Sequence, residues 1–349
     1  ARRRPMVPRL RPHRPYSHPR RPATLKPIRI GTRKSTMALA QTEEIMRQLR
    51  AAWPGLEVAM DTFDTRGDRD QASKLLRHGG KGGAFVAEIR AGMLEGRLEA
   101  AMHSLKDMPG NEETPRLVIG ATLKRDPPED VLVLRPGVAL DDLSRDGGAG
   151  FKIGTNAVRR AACLRRIYPR AEIIHFRGAA DTRIAKLDRG DKQRLASGGE
   201  VGPADALVMA RAGLARVGQA ERIAYRFTAE EMLPAVGQGI IAVECVADDW
   251  ETRARLARID DPASRACAEA EREVLWLLNG HCNSPIAGHA VIAGGDMTLA
   301  ASVLDEAGGA CIEVKRRGPA THPRELGRAV ALELLDKGAA TLIARSRPQ

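Results

Sequence analysis

The chain has 349 residues, of which 43% are hydrophobic, 29% charged and 3% aromatic. This length suffices for two or three packed domains, and no apolar run approaches the roughly 18 residues of a membrane helix. So few aromatic side chains argue against a protein that binds nucleic acid by stacking on its bases.

The net charge of +12 falls mostly at the N-terminus. Residues 1–27 hold nine basic residues, seven prolines and no acidic residue, which leaves +3 for residues 28–349. This composition predicts a disordered tail, either an extension without function or an organellar transit peptide. Because residues 28–349 are nearly neutral overall, a cluster of basic residues within them is expected to belong to a binding site rather than to a general positive field.

The β-α-β alternation of the first half predicts a mostly parallel sheet covered by helices. A strand begins at Ile28, and Ser35 or Thr36 caps a helix that runs to about Trp53. The elements that follow are a strand over 56–63, a mobile Gly-rich loop over 64–83, a helix over 85–95 and a strand ending near 102.

The prolines of residues 124–130 (KRDPPED) predict a crossing into a second α/β domain. From about residue 249 the pattern changes to a helix, three strand-like runs and a final helix, which predicts a smaller α+β domain. The predicted domains are 28–122 together with 222–245, then 127–217, then 248–349.

Four turns at predicted strand ends concentrate cations and small polar residues. Ligands of open parallel sheets bind beyond the carboxyl ends of the strands, where helix N-termini also favour anions. Any one of these arginines could be a solvated surface charge, but four such turns predict a ligand with several carboxylates or phosphates. The turns hold Arg33, Lys34 and Ser35; His103, Ser104, Lys106 and Asp107; Thr155, Asn156, Arg159 and Arg160; Arg177, Gly178 and Arg183.

The five cysteines form no C-x-x-C pair, so neither a disulfide framework nor a zinc site is expected. A reducing, cytoplasmic setting fits this usage best. They are Cys163, Cys245, Cys267, Cys282 and Cys311.

Seven segments occur in an order and spacing that resembles the porphobilinogen deaminase (hydroxymethylbilane synthase) family across residues 28–290. They read IRIGTRKSTMALAQ, HSLKDMP, IGTNAVRRAACL, FRGAADTRIAKLD, ARAGLAR, LPAVGQG and NGHCNSPIAGHA. The resemblance implies two doubly wound α/β domains like those of periplasmic binding proteins, facing one cleft, plus a small C-terminal α+β domain.

The resemblance also implies an activity. A transferase of this family condenses four porphobilinogen molecules to the linear tetrapyrrole hydroxymethylbilane, releasing ammonia, on a covalently bound dipyrromethane cofactor. It needs no metal, nucleic acid or membrane, and is expected to act as a monomer in the cytoplasm. An organellar stroma or matrix is the alternative if residues 1–27 are a transit peptide.

Two residues carry the chemistry by resemblance. Asp107 corresponds to the catalytic carboxylate, which stabilises a pyrrole-derived cation and relays protons. The alternative is a surface aspartate paired with Lys106. Cys282 corresponds to the cysteine that holds dipyrromethane through a thioether. An inert structural thiol is its alternative, and metal ligation with His281 is a weaker one.

The remaining site residues also follow from the resemblance. Arg33 and Arg177 are placed nearest the reacting rings, Gln238 is predicted to line the cleft, and Lys81 and Phe85 resemble an active-site lid. The alternatives are a turn-forming role for the Gln238 motif and an ordinary loop for the lid. The residues predicted to hold cofactor carboxylates are Arg33, Ser35, Lys106, Thr155, Arg159, Arg160, Arg183 and Arg216.

The sequence departs from the family pattern at several positions. Asn156 and Ala157 replace two serines, Ala179 replaces an asparagine, and about a dozen extra residues precede Ala204. Two rival functions remain open, a non-catalytic anion-binding protein of the periplasmic type and a nucleic-acid-binding protein. The first requires no meeting of Asp107 and Cys282 in one cleft. The second rests on the net charge and the tail, and deleting residues 1–27 tests it: loss of polyanion binding with retained deaminase activity would assign the charge to the tail alone.

Overall fold

The structure is a computed structural model that describes residues 25–63, 80–194, 199–280 and 284–346. The strands are β1 (Ile28–Arg33), β2 (Val58–Phe63), β3 (Ala100–Ser104), β4 (Leu117–Thr122), β5 (Asp130–Leu134), β6 (Lys152–Gly154), β7 (Glu172–Ile174), β8 (Gln193–Arg194), β9 (Glu200–Val201), β10 (Ala206–Ala210), β11 (Ile223–Arg226), β12 (Ile241–Val246), β13 (Ile286–Ala293), β14 (Asp296–Leu304) and β15 (Cys311–Pro319). The helices are α1 (Thr36–Ala52), α2 (Gly80–Leu94), α3 (Leu140–Ser144), α4 (Val158–Ile167), α5 (Ala180–Arg189), α6 (Arg211–Arg216), α7 (Trp250–Leu256), α8 (Pro262–Leu277), α9 (Pro323–Asp336) and α10 (Ala339–Arg345).

The first domain is a five-stranded sheet of order β2-β1-β3-β12-β4. Strand β12 runs antiparallel to both of its neighbours, so the other four strands share one direction. On one face Ile45 of α1 packs in a cluster with Ile30, and Ile89 of α2 packs with Ala101 in a separate cluster. These apolar side chains drive helices onto both faces, which makes the domain doubly wound.

The second domain repeats this plan with a sheet of order β11-β5-β10-β6-β7. Here β5 runs antiparallel to both of its neighbours, whereas β6, β7 and β10 run parallel to one another. Leu164 of α4 belongs to one apolar cluster and Leu187 of α5 to another. The chain passes between the two domains twice, from β4 to β5 and from β11 to β12, so the cleft between them has both crossings at its base.

The third domain is an antiparallel sheet of order β13-β14-β15 whose core is shared with α8, α9 and α10. The described part of the chain contains no helix with the length and apolar character needed to cross a membrane.

Two predicted domain boundaries require correction. Strand β11 pairs with β5, and Phe227 and Met232 pack in the second domain's core, so residues 222–232 do not belong to the first domain. Leu256 and Ile259 pack in the first domain's core, so the third domain begins near Pro262 rather than at 248. Short amphipathic segments such as these do not encode in their own residues which sheet they join.

Two predicted segment limits also differ from the structure. Leu25 packs against the first core and the Lys26 carbonyl accepts a hydrogen bond from Arg255, so order begins before Ile28. Helix α2 begins at Gly80, which makes residues 80–83 helical rather than part of a loop. The rest of that predicted loop, 64–79, lies outside the described residues.

Candidate active site

A cavity lies between the first two domains, beyond the carboxyl ends of β3 and β10. Both domains touch across it, because Thr36 Oγ1 donates to Asp181 Oδ2 at 3.0 Å. The charged residues that line this cavity are all cations. The second crossing also contributes to the lining, with Gly237, Gly239 and Ile240. The lining residues are Met37, Ser104, Lys106, Arg160, Ala180, Arg183, Met209, Ala210, Ala212, Gly213, Arg216, Gly237, Gly239 and Ile240.

Asp107 ends a single 3₁₀ turn that follows β3. Leu105 in this turn is buried, and its N–H donates to the Ile240 carbonyl at 3.0 Å, which fixes the turn to the second crossing. The Asp107 side chain is exposed. Its negative charge opposes the lowering of the pKa of both Lys106 and Arg183. The charge of Asp107 therefore acts on cations from both domains.

Lys106 is the cation closest in sequence to this carboxylate. Its Nζ donates to Gln238 Oε1 at 3.3 Å. Burial, reinforced by the nearby Arg160, lowers the pKa of Lys106 to about 8. Burial and Arg160 make the charged form of Lys106 less stable, and an anion bound in the cleft would stabilise that charged form.

The floor of the cleft is a buried ionic group that we call the Asp130 cluster (Asp130, Arg159, Arg160 and Gln238). Asp130 accepts from Arg159 Nη2 at 2.6 Å, from Arg160 Nε at 2.9 Å and from Gln238 Nε2 at 2.9 Å. Burial would raise the pKa of Asp130, but the two guanidiniums and the amide lower it to about 2. The cluster thus holds Arg160 at the edge of the cavity.

The structure corrects the predicted roles of two members of this cluster. Arg159 is 5% exposed and donates its other nitrogen, Nη1, to the Leu233 carbonyl at 2.8 Å, so it supports the cleft from below. Gln238 is 1% exposed and also donates to the Pro128 carbonyl, so it lies beneath the lining rather than in it. Both arginines are buried, but only Arg160 lines the cavity, and their adjacent positions in the sequence gave no signal of this difference.

We expect Asp130→Asn to lower the free energy of unfolding by about 3–5 kcal/mol, because it leaves two buried guanidiniums without their counter-charge. Urea unfolding at pH 7 measures this, with the exposed Asp191→Asn as the control that should change stability by less than about 1 kcal/mol. Because the folded pKa lies below the unfolded one, the Asp130 contribution is present above about pH 4 and is lost as pH falls towards 2. Equal stabilities for the two variants would contradict the cluster's role.

Arg183 is a cavity-lining cation that is suited to bind an anion. Its Nε is buried and has no hydrogen-bond partner within the described ranges. Burial and the neighbouring Arg160 lower the pKa of Arg183 to about 10, although Asp107 opposes the change. Arg216, by contrast, is paired with Asp126 Oδ2 at 2.5 Å and with the Gly239 carbonyl. Arg183, Lys106 and Arg160, which all line the cavity, are thus suited to bind carboxylates.

The small polar residues of the predicted site shape the turns around the cavity. Ser35 caps α1 by accepting from Ala38 N at 3.3 Å, and Thr155 Oγ1 accepts from Ala157 N at 3.2 Å. Asn156, a departure from the family pattern, accepts from Phe176 N at 2.8 Å and so fixes the start of the next loop. The hydroxyls of Ser35 and Thr155 each also carry a hydrogen that can be donated to a ligand.

Arg33 and Arg177 are both half-buried, and each has interactions within the protein. The Arg177 backbone is held by Gln193 Oε1, which accepts from its N–H at 2.8 Å. His103, which the sequence grouped with this site, is instead buried with its Nε2 3.3 Å from Glu244 Oε2. It supports β3 rather than the cavity.

The G-Q-G turn over 237–239 requires both of its glycines. Gly237 and Gly239 have φ of +73° and +89°, a region that residues with a Cβ rarely adopt. A Cβ on Gly239 would lie 2.3 Å from the Asp126 carbonyl oxygen, so the two crossings pack directly on each other there.

Cys282 lies outside the described residues, as do the side chains of Lys81 and Phe85. The residues before Cys282 are nevertheless fixed beside the segment that follows Asp107. Asn111 Nδ2 donates to Asn279 Oδ1 at 3.0 Å, and Arg272 Nη2 donates to the Pro109 carbonyl at 2.9 Å.

The other four cysteines are unsuited to nucleophilic chemistry. Cys163, Cys245 and Cys267 are buried and Cys311 is half-buried. Burial raises the pKa of Cys245 and of Cys267 to about 11, which keeps both thiols protonated near neutral pH. Over the ranges that are described, no group of three or more His, Cys, Asp or Glu side chains could hold a metal ion.

The fold and the cavity together define a class of protein in which two α/β domains enclose a cation-lined cleft, with an exposed carboxylate in the turn that carries one of its cations. The chain belongs to the porphobilinogen deaminase family. Residues 28–254 match the family model described as "Porphobilinogen deaminase, dipyromethane cofactor binding domain". Residues 265–336 match the model of the porphobilinogen deaminase C-terminal domain.

Full-length relatives bear the same family name. The porphobilinogen deaminase of Syntrophobacter fumaroxidans is 38% identical over 90% of this chain and 96% of its own length. That of Stenotrophomonas maltophilia strain K279a is 40% identical, over 91% of this chain and 99% of its own. The Xanthomonas axonopodis pv. citri enzyme is 41% identical, over 91% and 98%. A solved structure of the methionine binding protein MetQ is 13% identical, with a TM-score of 0.38 over 66% of this chain and 89% of its own.

Proposed function

We propose that this protein condenses four molecules of porphobilinogen into hydroxymethylbilane and releases one ammonia per molecule. The observation that carries the proposal is the exposed Asp107 carboxylate, which follows cavity-lining Lys106 in one turn and lies near enough to Arg183 of the second domain for its charge to oppose the lowering of that residue's pKa. A pyrrole that bears two carboxylates and develops positive charge on its ring needs both kinds of group, cations for its arms and an anion for its ring.

The donor set fits a dipyrromethane cofactor, which carries several carboxylates. The buried, unpartnered Arg183 Nε and the cavity-lining Lys106 and Arg160 supply cations for these groups. When bound, the cofactor supplies the pyrrole carbon from which the chain is extended. We infer that Cys282 holds it by a thioether, and that Arg33, Ser35, Thr155 and Arg216 complete the contacts to its carboxylates.

Asp107 is proposed to act on the substrate ring. As the C–N bond of the aminomethyl arm breaks and its amino group leaves as ammonia, the methylene carbon stays on the ring and positive charge spreads over the pyrrole. A carboxylate that accepts the ring N–H stabilises that charge. The same carboxylate can accept the proton that the new carbon–carbon bond displaces and pass it to water. Arg33 and Arg177 are proposed to hold the acetate and propionate arms of the reacting rings.

The direct test is incubation of the purified protein with porphobilinogen. We expect one ammonia per porphobilinogen consumed, and a product that closes without further enzyme and oxidises to uroporphyrin, followed by its strong near-ultraviolet absorbance. Saturable porphobilinogen binding with no ammonia release would instead support the non-catalytic anion-binding alternative. Loss of activity on deleting residues 1–27 would favour a role for the basic tail.

Arg183→Gln tests the carboxylate contacts. We expect KM for porphobilinogen to rise about 10- to 100-fold, the effect of losing one charged hydrogen-bonded pair of about 1.5–3 kcal/mol. The control is Arg189→Gln on the same helix, where the exposed arginine pairs with Asp191 at 2.7 Å and should leave KM unchanged. An unchanged KM in Arg183→Gln argues that this guanidinium does not contact the substrate.

The cleft is built from one chain, and we infer that the enzyme acts as a monomer on a small-molecule substrate, in the cytoplasm and without nucleic acid or a membrane. Light scattering on the active protein gives the mass directly, and a dimer mass would contradict the inference.

A further inference from the structure

A single buried carboxylate joins the third domain to both crossings between the first two domains. Glu271 of α8 is fully buried. It accepts from Arg125 Nη1 at 2.5 Å, from Gly237 N at 2.7 Å and from Ala290 N at 2.8 Å. Arg125 belongs to the first crossing, Gly237 to the second and Ala290 to β13. A change in the position of Glu271 would therefore displace residues of both crossings at the base of the cleft.

Glu271 influences the cleft through Gln238, the residue that follows Gly237. Arg125 Nε donates to the Gln238 carbonyl at 2.9 Å, so the Glu271–Arg125 pair holds both Gly237 and Gln238. The Gln238 side-chain oxygen in turn accepts from Lys106 Nζ at 3.3 Å and from Arg160 Nη2 at 3.5 Å. Two cations of the cavity thus contact one amide, and Glu271 acts through Arg125 on the backbone of the residue that bears this amide.

The turn also packs against the segment that bears Asp107. A Cβ on Gly237 would lie 2.7 Å from Leu105 Cγ, so the two turns are in close contact. A turn with two left-handed glycines has high conformational freedom in isolation. Its fixed shape therefore requires hydrogen bonds from outside, and Glu271 and Arg125 supply them.

We propose that Glu271, although it belongs to the third domain, is a positioning residue for the cleft that sets the places of Lys106 and Arg160 through the turn over 237–239. Its effect on turnover rests on the proposed function, whereas its effect on Lys106 does not.

The first measurement is the reactivity of Lys106 in Glu271→Gln. Acetic anhydride labelling of the whole protein across a pH series, followed by peptide mass spectrometry, gives the labelling midpoint of Lys106. In the native protein the midpoint should lie near pH 8, because burial is the main cause of its lowered pKa. A displaced turn admits water, so the variant's midpoint should rise towards the ordinary lysine value.

The second measurement separates positioning from stability. In Glu271→Gln we expect KM for porphobilinogen to rise about 10-fold or more, because two ligand-binding cations are displaced. If Glu271 only held the third domain in place, kcat would fall with the fraction of folded protein and KM would stay constant. The matched control is Glu273→Gln, two residues along the same helix, whose partner Arg328 lies 3.7 Å away. It should change neither KM nor the labelling midpoint.

Glu271→Asp provides a milder variant in case Glu271→Gln does not fold. Its shorter side chain can keep the charge beside Arg125 but cannot also reach Gly237 N and Ala290 N, so smaller shifts in the same directions are expected. A folded variant of either kind with a native Lys106 midpoint and a native KM overturns the proposal. If the native protein does not turn over porphobilinogen, the proposed function fails, and the labelling midpoint alone decides the role of Glu271.

Discussion

Replacing Asp107 with asparagine is expected to lower kcat by about 10²- to 10⁴-fold, the range typical of removing a positioned acid–base group. Asparagine keeps the shape of the side chain and can still accept a pyrrole N–H. It cannot offset the positive charge that builds on the ring as ammonia leaves, nor accept a proton. Stopped assays of ammonia release at saturating porphobilinogen measure this change, because the loss should fall on the chemical step.

The control for Asp107→Asn is Glu113→Gln, an exposed acid six residues further along the chain. It removes the same unit of charge from the same side of the first domain without facing Lys106 or Arg183. We expect native kcat in this variant. Turnover within a few-fold of native in Asp107→Asn would show that another group supplies the negative charge.

Replacing Cys282 with serine is expected to abolish both the covalent adduct and the activity. A serine hydroxyl is not ionised near neutral pH, so it cannot act as the thiolate does towards an electrophilic pyrrole. Intact-mass spectrometry should find the native chain heavier than its sequence by one dipyrromethane, and Cys282→Ser at the mass of its sequence.

Cys311→Ser is the matched control, because Cys311 is the described cysteine with partial exposure. This variant should keep both the adduct and turnover. An adduct that persists in Cys282→Ser and disappears in another cysteine variant would move the attachment site. The hydrogen bond between Asn111 and Asn279 favours Cys282 as the attachment site, since it holds Asn279, three residues before Cys282 in the sequence, next to the segment that follows Asp107.

Local chemistry explains which parts of the fold the sequence predicts well. The Ser35 cap of α1 and the strand starting at Ile28 follow from residue types in immediate succession, and both agree with the structure. Strand β11 was assigned to the wrong domain because its four residues satisfy the pattern of an exposed edge in either sheet. Partner choice depends on the surface it meets, which local sequence does not contain.

The functional site likewise has features that the sequence predicts and features that only the tertiary structure determines. The sequence identified the family and its cations, and with them the need for a polycarboxylate ligand, because residue type and order are sufficient for that. Asp130 was missed, although an acid at the head of the apolar run V131-L-V-L is a signal of a buried charge. Arg159 was predicted to hold cofactor carboxylates and Gln238 to line the cleft, yet the tertiary structure puts both beneath the lining, paired with Asp130. Whether a charged group faces ligand or protein is decided by burial and by partners distant in sequence, and only the packed chain brings those together.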